Sequence, residues 1–141
     1  MKMILKASLV ASLSLCSTLQ AASLPPSPSP EGAKAYIISP ADGATVGKSV
    51  TVKFGLQGMG VSPAGLDKAK TGHHHLIIDG KTMPALDKPL GNEVMHFGGG
   101  QTEKTIELTP GKHTLQLILG NYLHIPHSPP VISEAITITV K

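Results

Sequence analysis

The feature of this chain that most constrains its fold is an alternation of apolar and polar side chains with a period of two residues. The alternation is clearest where apolar side chains occupy every second position: Val50, Val52, Phe54 and Leu56. Segments with the same spacing, or with short apolar runs, are residues 35–38, 74–78, 105–109, 114–120 and 136–141. Because successive side chains of a strand point to opposite faces, each segment is predicted to be a β-strand.

Turn-forming residues separate these segments and set the fold class. They include Pro40-Ala41-Asp42-Gly43, Asp79-Gly80, the three glycines from Gly98 to Gly100, and Pro110-Gly111. No stretch has the periodicity of a long helix, although residues 63–70 can form a short one. Residues 33–141 are therefore predicted to be a single all-β domain, an immunoglobulin-like antiparallel β-sandwich of six to seven strands.

Residues 1–21 have the pattern of a secretory signal peptide. Two lysines precede an apolar stretch that runs from Ala7 to Leu15, and small residues lead to a predicted cleavage after Ala21, with Ala22 as the alternative. The apolar stretch is far shorter than the roughly 20 residues that span a bilayer. Lipid attachment at Cys16 is disfavoured because a leucine, and not a small residue, precedes it. We therefore expect a periplasmic or secreted protein without an integral membrane segment in its mature chain.

The composition of the mature chain excludes several classes of function. Residues 22–32 are rich in proline and serine and are predicted to be an extended tether before the domain. If Cys16 is removed with the signal, no cysteine remains for disulfides, thiolate metal sites or cysteine catalysis. The chain has no arginine, and its mature part has ten lysines against nine acidic residues, with only two phenylalanines and two tyrosines. Nucleic-acid binding, which needs a basic stripe or stacking aromatic side chains, is therefore not expected.

Histidine is the best functional clue, since the chain contains seven and none lies before residue 73. Three are consecutive, in the run GHHHLIIDG. On a strand, His73 and His75 point to one face, whereas His74 shares the core-facing side of Leu76 and Ile78. Imidazoles at alternate positions of a strand are about 7 Å apart and can supply half of a metal site. The alternative is that they are solvated or cap backbone groups.

The segment NYLHIPHSPP is predicted to supply the other half of this site. Its prolines fix backbone angles, so that His124 and His127 can be presented in a preorganised loop. The two histidines converge only if the loop bends, and otherwise they are polar residues of a rigid crossover. The further candidate ligands are His96 and Met95, a borderline and a soft ligand beside a glycine run. Met95 is alternatively a core-filling residue.

The remaining histidines are predicted to have supporting roles. His113 has the inward parity of Leu115 and is expected to be a core residue or one that orients a metal ligand. His74 and Asp79 are assigned to the same structural or orienting group. The predicted metal ligands are thus His73, His75, His124 and His127, followed by His96 and Met95.

These residues indicate binding of a transition metal, copper before zinc. Histidine and methionine together, in an exported chain without cysteine, suit the handling of copper in the periplasm. The alternative is a non-catalytic interaction module of the cell envelope, in which the histidines brace neighbouring loops and a protein or glycan is bound. The sequence has no nucleophile elbow, HExxH helix, carboxylate pair or phosphate loop, so an enzyme is not predicted, and a metal-dependent enzyme is the weaker third hypothesis.

Three stretches resemble a small exported bacterial domain family of unknown function: GHHHLIIDG, HFGGGQTEKTIEL and PGKHTLQLILGNYLHIPHSPPVISEAITI. The resemblance extends from about Tyr36 onward and implies a secreted or periplasmic β-domain that follows a signal peptide. The positions that match the family pattern are Gly72, His73, His74, His75, Asp79, His96, Phe97, Gly98, Gly99, Gln101, Thr102, His113, Leu115, Gly120, His124, Pro126, His127 and Pro129. The chain departs from the pattern at Asn121, where an acidic residue is expected, and a carboxylate role is therefore not carried over to that position.

Overall fold

The computed structural model describes residues 24–141, and the predicted signal peptide lies outside this range. The described chain contains nine strands and no helix: β1 (Lys34–Ser39), β2 (Thr45–Val46), β3 (Ser49–Gln57), β4 (Gly60–Val61), β5 (Thr71–Ile78), β6 (Met95–His96), β7 (Glu103–Glu107), β8 (Gly111–Gly120) and β9 (Ile136–Val140). Over residues 24–141, therefore, no helix exists that is long and apolar enough to cross a membrane. The six long strands are those predicted from the alternation, and the three two-residue strands are additional.

The strands form two sheets that pack as a β-sandwich. One sheet has the order β1-β3-β7, and the other has the order β2-β9-β8-β5-β4, with β6 also paired to β5. All pairs are antiparallel except β2 with β9 and β4 with β5. Among the six long strands, the first, second and fourth lie in one sheet and the third, fifth and sixth in the other, which is the immunoglobulin arrangement. The predicted fold is confirmed, with nine strands instead of six to seven.

The core between the sheets is made by the inward-pointing residues of the alternating segments. Phe54 of β3, Leu76 of β5 and Leu117 of β8 are almost completely buried there. Burial of each such side chain stabilises the fold by about 1.5–3 kcal/mol. The ring of His74 lies on the same side, with its centroid 5.3 Å from that of Phe54. The predicted core-facing orientation of His74 is therefore confirmed.

The predicted short helix at residues 63–70 is wrong, because this segment consists of turns and extended backbone. Gly65 and Lys70 have positive φ angles of 81° and 58°, which a right-handed helix does not accommodate. The amide of Gly65 donates a 2.9 Å hydrogen bond to the carbonyl of Tyr122 in a distant loop. Tertiary hydrogen bonds thus replace the helical ones in this segment.

The outer face of β5 is buried as well as the inner one. Ile77 of β5, Ile118 of β8 and Val94 of the loop before β6 form a second, small apolar cluster outside the sandwich. Loop residues therefore fold over this face of the six-stranded sheet. As a result, every residue from Gly72 to Ile77 is buried, and the three histidines of this run are buried polar residues. His73 and His75, on the same outer face, are buried as well.

His113 and Asp79 form a brace near the start of β8. The Nδ1 atom of His113 lies 2.7 Å from a carboxylate oxygen of Asp79, and its Nε2 atom lies 2.7 Å from the carbonyl oxygen of Thr109. The other carboxylate oxygen of Asp79 accepts a hydrogen bond from the amide of Thr114. Since both ring nitrogens face acceptors, the doubly protonated imidazolium satisfies both. The hydrogen bond to Asp79, together with that to Thr109, raises the pKa of His113 above its usual 6.5.

Replacement of Asp79 by asparagine is expected to lower the pKa of His113 and to destabilise the protein more at pH 5.5 than at pH 8.5. A raised folded-state pKa gives stability that is fully present below 6.5 and is lost as the pH rises through the folded value. Asparagine keeps the acceptor for the Thr114 amide and tolerates the positive φ of residue 79, which is 53°. NMR titration of the His113 ring and denaturant unfolding at the two pH values measure both effects. Equal destabilisation at both values would contradict the charged brace.

Candidate metal centre

His73 and His75 provide the fixed part of a histidine cluster on the outer face of β5. Their ring centroids are 4.7 Å apart, and their side chains are 0% and 1% exposed. On one side β5 pairs with β8, where His75 lies opposite Ile118. On the other side His75 lies opposite His96 of the two-residue strand β6. Paired residues on adjacent strands point to the same face, and the pairing therefore brings the ring of His96 to the cluster.

The loop that follows β8 brings His124 to the same face. Its Nδ1 atom lies 3.0 Å from Nε2 of His73, so that one ring donates a hydrogen bond to the other. The backbone of His124 has a positive φ of 66°, a conformation that is uncommon outside glycine but in which histidine is enriched. The carbonyl of His124 accepts a hydrogen bond from the amide of Leu90. The loop conformation therefore points this ring back over β5.

Four histidines thus converge: His73, His75, His96 and His124. One ring nitrogen from each lies within 4.8 Å of one from every other member, and the ring centroids are 4.6 to 6.0 Å apart. Nitrogens that bind one tetrahedral ion at 2.0–2.1 Å are about 3.3 Å from one another. Shifts of an ångström or so in side-chain position therefore bring these four imidazoles into coordination range of one ion.

Two glycines make room for the cluster. A Cβ atom on Gly120 would lie 2.6 Å from Cε1 of His75 and 3.3 Å from the Cα atom of His124. A Cβ atom on Gly98 would overlap the ring of His96. Any larger residue at either position would displace a histidine of the cluster. The glycines at the end of β8 and in the turn after β6 are therefore part of the architecture of the site.

The environment of the cluster favours neutral imidazoles. Burial, followed by the neighbouring rings of His124 and His96, lowers the pKa of His73 from 6.5 to about 4. Burial, followed by His73 and His96, lowers the pKa of His75 to about 3. The pKa of His96 is also lowered, first by burial and then by His124. Since a metal ion binds the unprotonated nitrogen, these histidines are ready to act as ligands at neutral pH.

Several ring nitrogens of the buried histidines have no hydrogen-bond partner in the described structure. They include Nδ1 of His73 and both nitrogens of His75. A buried polar atom without a partner costs about 1–3 kcal/mol. One bound ion would take a single nitrogen from each ring and would lower this cost without removing it. Their nitrogen lone pairs suit a borderline transition-metal ion such as Cu(II) or Zn(II).

The structure places the other predicted ligands outside the cluster. The ring of His127 is buried, and its Nε2 atom lies 3.1 Å from the carbonyl oxygen of Thr71, to which it donates a hydrogen bond. Met95 lies opposite Leu76, so that its side chain is on the other face of the sheet from that of His96. His127 and Met95 are thus outside the cluster, although each lies close in sequence to one of its members, His124 and His96 respectively.

The residues that were expected to orient ligands also lie apart from the four histidines. His74 points into the core against Phe54, and both of its ring nitrogens are buried without a partner. His113 and Asp79 bond to each other. His113 is paired with Ile138 of β9, whereas the cluster lies near Gly120 at the far end of β8. The side chains of these three residues therefore make their contacts elsewhere, with Phe54 for His74 and with each other for His113 and Asp79.

Asn121 is a residue of the site that the sequence did not single out for this purpose. Its side chain is 1% exposed, and its oxygen accepts hydrogen bonds from the amides of Leu123 and Ile125, at 2.9 and 3.0 Å. These bonds close the loop that carries His124. The signal in the sequence was an asparagine just after a strand, a residue that commonly bonds nearby backbone amides in turns.

Comparison with known proteins identifies the family of the chain. Residues 52–141 match the family model described as a domain of unknown function, DUF4399. Searches of curated proteins and of solved structures gave no significant match. The matched region covers more than half of the chain and contains all four histidines of the cluster. The chain therefore belongs to the DUF4399 family of small domains of unknown function.

Proposed function

We propose that this domain binds one transition-metal ion through His73, His75, His96 and His124. The observation that supports the proposal most strongly is the approach of four ring nitrogens to within 4.8 Å of one another. Two of the four rings are completely buried, and hydrogen bonds leave three of their four nitrogens unused. A set of four protein ligands leaves no open position on a tetrahedral ion, which is typical of binding sites and not of catalytic ones.

Copper is the preferred metal in this proposal, and zinc is the second. For a given set of nitrogen ligands, Cu(II) binds more tightly than Zn(II) in the Irving–Williams order. The proposal includes export to the periplasm or outside the cell, as expected from the predicted signal peptide, and the predicted mature chain has no thiol that would compete for the ion. The metal ion is thus the expected partner, in an exported protein that holds or carries copper.

One further function is supported by a specific contact. The 3.0 Å hydrogen bond between His73 and His124 ties β5 to the loop after β8, as expected for an interaction module of the cell envelope whose histidines are a structural brace. This alternative leaves both nitrogens of His75 buried and unsatisfied. The brace therefore explains one contact of the cluster but not the convergence of four rings.

Metal titration of the untagged protein separates the two functions. The chain is purified without a polyhistidine tag, bound metal is quantified by mass spectrometry, and Cu(II), Cu(I) and Zn(II) are titrated. We expect one ion per chain, with tighter binding of Cu(II) than of Zn(II). Affinities weaker than micromolar for all three ions would reject the metal site and favour the structural brace.

A further inference from the structure

The loop that carries His124 is organised by the side chain of Asn121. The side chain accepts two hydrogen bonds, and the backbone of Asn121 makes two more. The backbone amide of Asn121 donates to the carbonyl of Ile125, and the backbone carbonyl of Asn121 accepts from the amide of His124, both at 2.8 Å. Residues 121–125 are therefore a closed turn around one buried asparagine. His124 lies inside this turn in the left-handed conformation. Without the asparagine, the turn loses two of the bonds that favour this conformation over more common ones.

The amide nitrogen of the same asparagine side chain reaches the N-terminal segment. It donates a 3.0 Å hydrogen bond to Oγ of Ser27. The carbonyl of Ser27 accepts from the amide of Ser128, and the amide of Ser29 donates to the carbonyl of Ser128, at 3.0 and 3.2 Å. The hydroxyl of Ser29 also donates to the carbonyl of Pro129. Composition predicted a tether here, and the segment from Ser27 to Ser29, which we call the strap, is hydrogen-bonded to the domain.

The strap is hydrogen-bonded to the domain but only partly buried, since Pro28 is exposed and Ser27 and Ser29 are half-buried. A cavity of about 370 Å³ lies between residues 27–30 and residues 67–71, and His127 also lines it. The strap therefore lies against the domain with open space beside it. Incomplete burial and exposed backbone hydrogen bonds are the properties of a segment that detaches at low free-energy cost.

We propose that Asn121 is the positioning residue for His124, and that the docked strap holds Asn121 in place through Ser27. This inference rests on the proposed metal site, of which His124 is one ligand. When the strap is docked, the asparagine side chain has partners for its amide nitrogen and for its oxygen, and the turn presents His124 to the other three histidines. When the strap detaches, the turn visits other conformations, and the apparent metal affinity falls in proportion to the competent fraction. By linkage, a bound ion favours the docked strap to the same extent.

Substitutions of Asn121 test the positioning role. Leucine has a similar volume but accepts no hydrogen bond, and the Asn121→Leu variant is expected to bind Cu(II) about tenfold more weakly or worse. Aspartate keeps the acceptors for both loop amides and can accept from the Ser27 hydroxyl, so that Asn121→Asp restores most of the affinity. The electron paramagnetic resonance spectrum of bound Cu(II) is recorded for both variants. The leucine variant is expected to show altered nitrogen hyperfine coupling, which a general loss of stability does not produce.

Substitution of Ser29 by proline tests the strap in the full chain. Proline removes the amide that donates to Ser128 and the hydroxyl that donates to Pro129. The matched control is Glu31→Pro, at a turn position next to Gly32 (φ 76°) where proline is favoured and where the amide donates no hydrogen bond in the described structure. We expect Ser29→Pro to weaken Cu(II) binding several-fold and Glu31→Pro to leave it unchanged.

Amide hydrogen exchange of the metal-free protein keeps the two proposals distinguishable. In Ser29→Pro, the amides of Leu123 and Ile125, which donate to Asn121, are expected to exchange faster than in the unmodified protein. Unchanged exchange in this variant, or unchanged Cu(II) affinity and spectrum in Asn121→Leu, would overturn the positioning role even if the protein binds metal. Failure of the unmodified protein to bind metal would overturn the proposed function, and with it the positioning of a ligand.

Discussion

Replacement of His75 by leucine is expected to weaken Cu(II) binding by at least about 100-fold. His75 is a fully buried member of the cluster, with its ring centroid 4.7 Å from that of His73 and 5.1 Å from that of the paired His96. Loss even of a residue that only orients a metal ligand typically costs 10–100-fold in affinity, and loss of a buried ligand is expected to cost more. Isothermal titration, or competition with a chelator of known affinity, measures the change.

The matched control is His74→Leu, the same substitution at the neighbouring residue of the same strand. His74 points to the opposite face and packs against Phe54, and its replacement is expected to change the Cu(II) affinity less than threefold. Leucine fills a similar volume in both variants, which avoids a large cavity at either position. If the two variants lose affinity equally, the loss comes from the stability of β5, and the assignment of His75 as a ligand is wrong.

The second large effect is expected in the stability of the metal-free protein in acid. Burial lowers the pKa of His74 to about 4, and that of His73 and His75 to about 4 and about 3, whereas the unfolded chain protonates near 6.5. A group whose pKa is lower in the folded than in the unfolded state contributes stability that is fully present above pH 6.5. This contribution is lost as the pH falls through the folded-state pKa. Each histidine contributes a slope of up to about 1.4 kcal/mol per pH unit in this window.

Denaturant unfolding with chelator present, at intervals between pH 7 and pH 4.5, measures this slope. As the pH falls to 4.5, the linked protonation of these three histidines is expected to remove most of the 5–15 kcal/mol of unfolding free energy that is typical of a domain. The His74→Leu variant removes one of the three groups without touching the cluster, and its slope is expected to be smaller by about 1.4 kcal/mol per pH unit at most. His113 does not obscure the result, because its raised pKa makes its contribution to stability constant below pH 6.5. A stability that is constant from pH 7 to pH 4.5 would contradict the burial of neutral histidines.

Much of the fold was predictable because its information is local. The alternation along residues 50–56 decides which side chains of β3 are buried, and the same rule separates His74 from its two neighbours on β5. The prediction failed for residues 63–70, where hydrogen bonds to distant loops decide the conformation. The strand β6 was missed because two residues are too short to show a period, yet its pairing brings His96 opposite His75.

The sequence by itself determined the sandwich, the pair formed by His73 and His75, and the presence of further histidines in loops. Strand periodicity is a property of neighbouring residues, and it can be recognised without the three-dimensional structure. Only the tertiary structure decided which loop histidines complete the cluster. The turn around Asn121 directs His124 to His73, whereas His127, three residues later, bonds to the carbonyl of Thr71. Ring positions in a loop depend on backbone hydrogen bonds to distant segments, and no local pattern of residues encodes those.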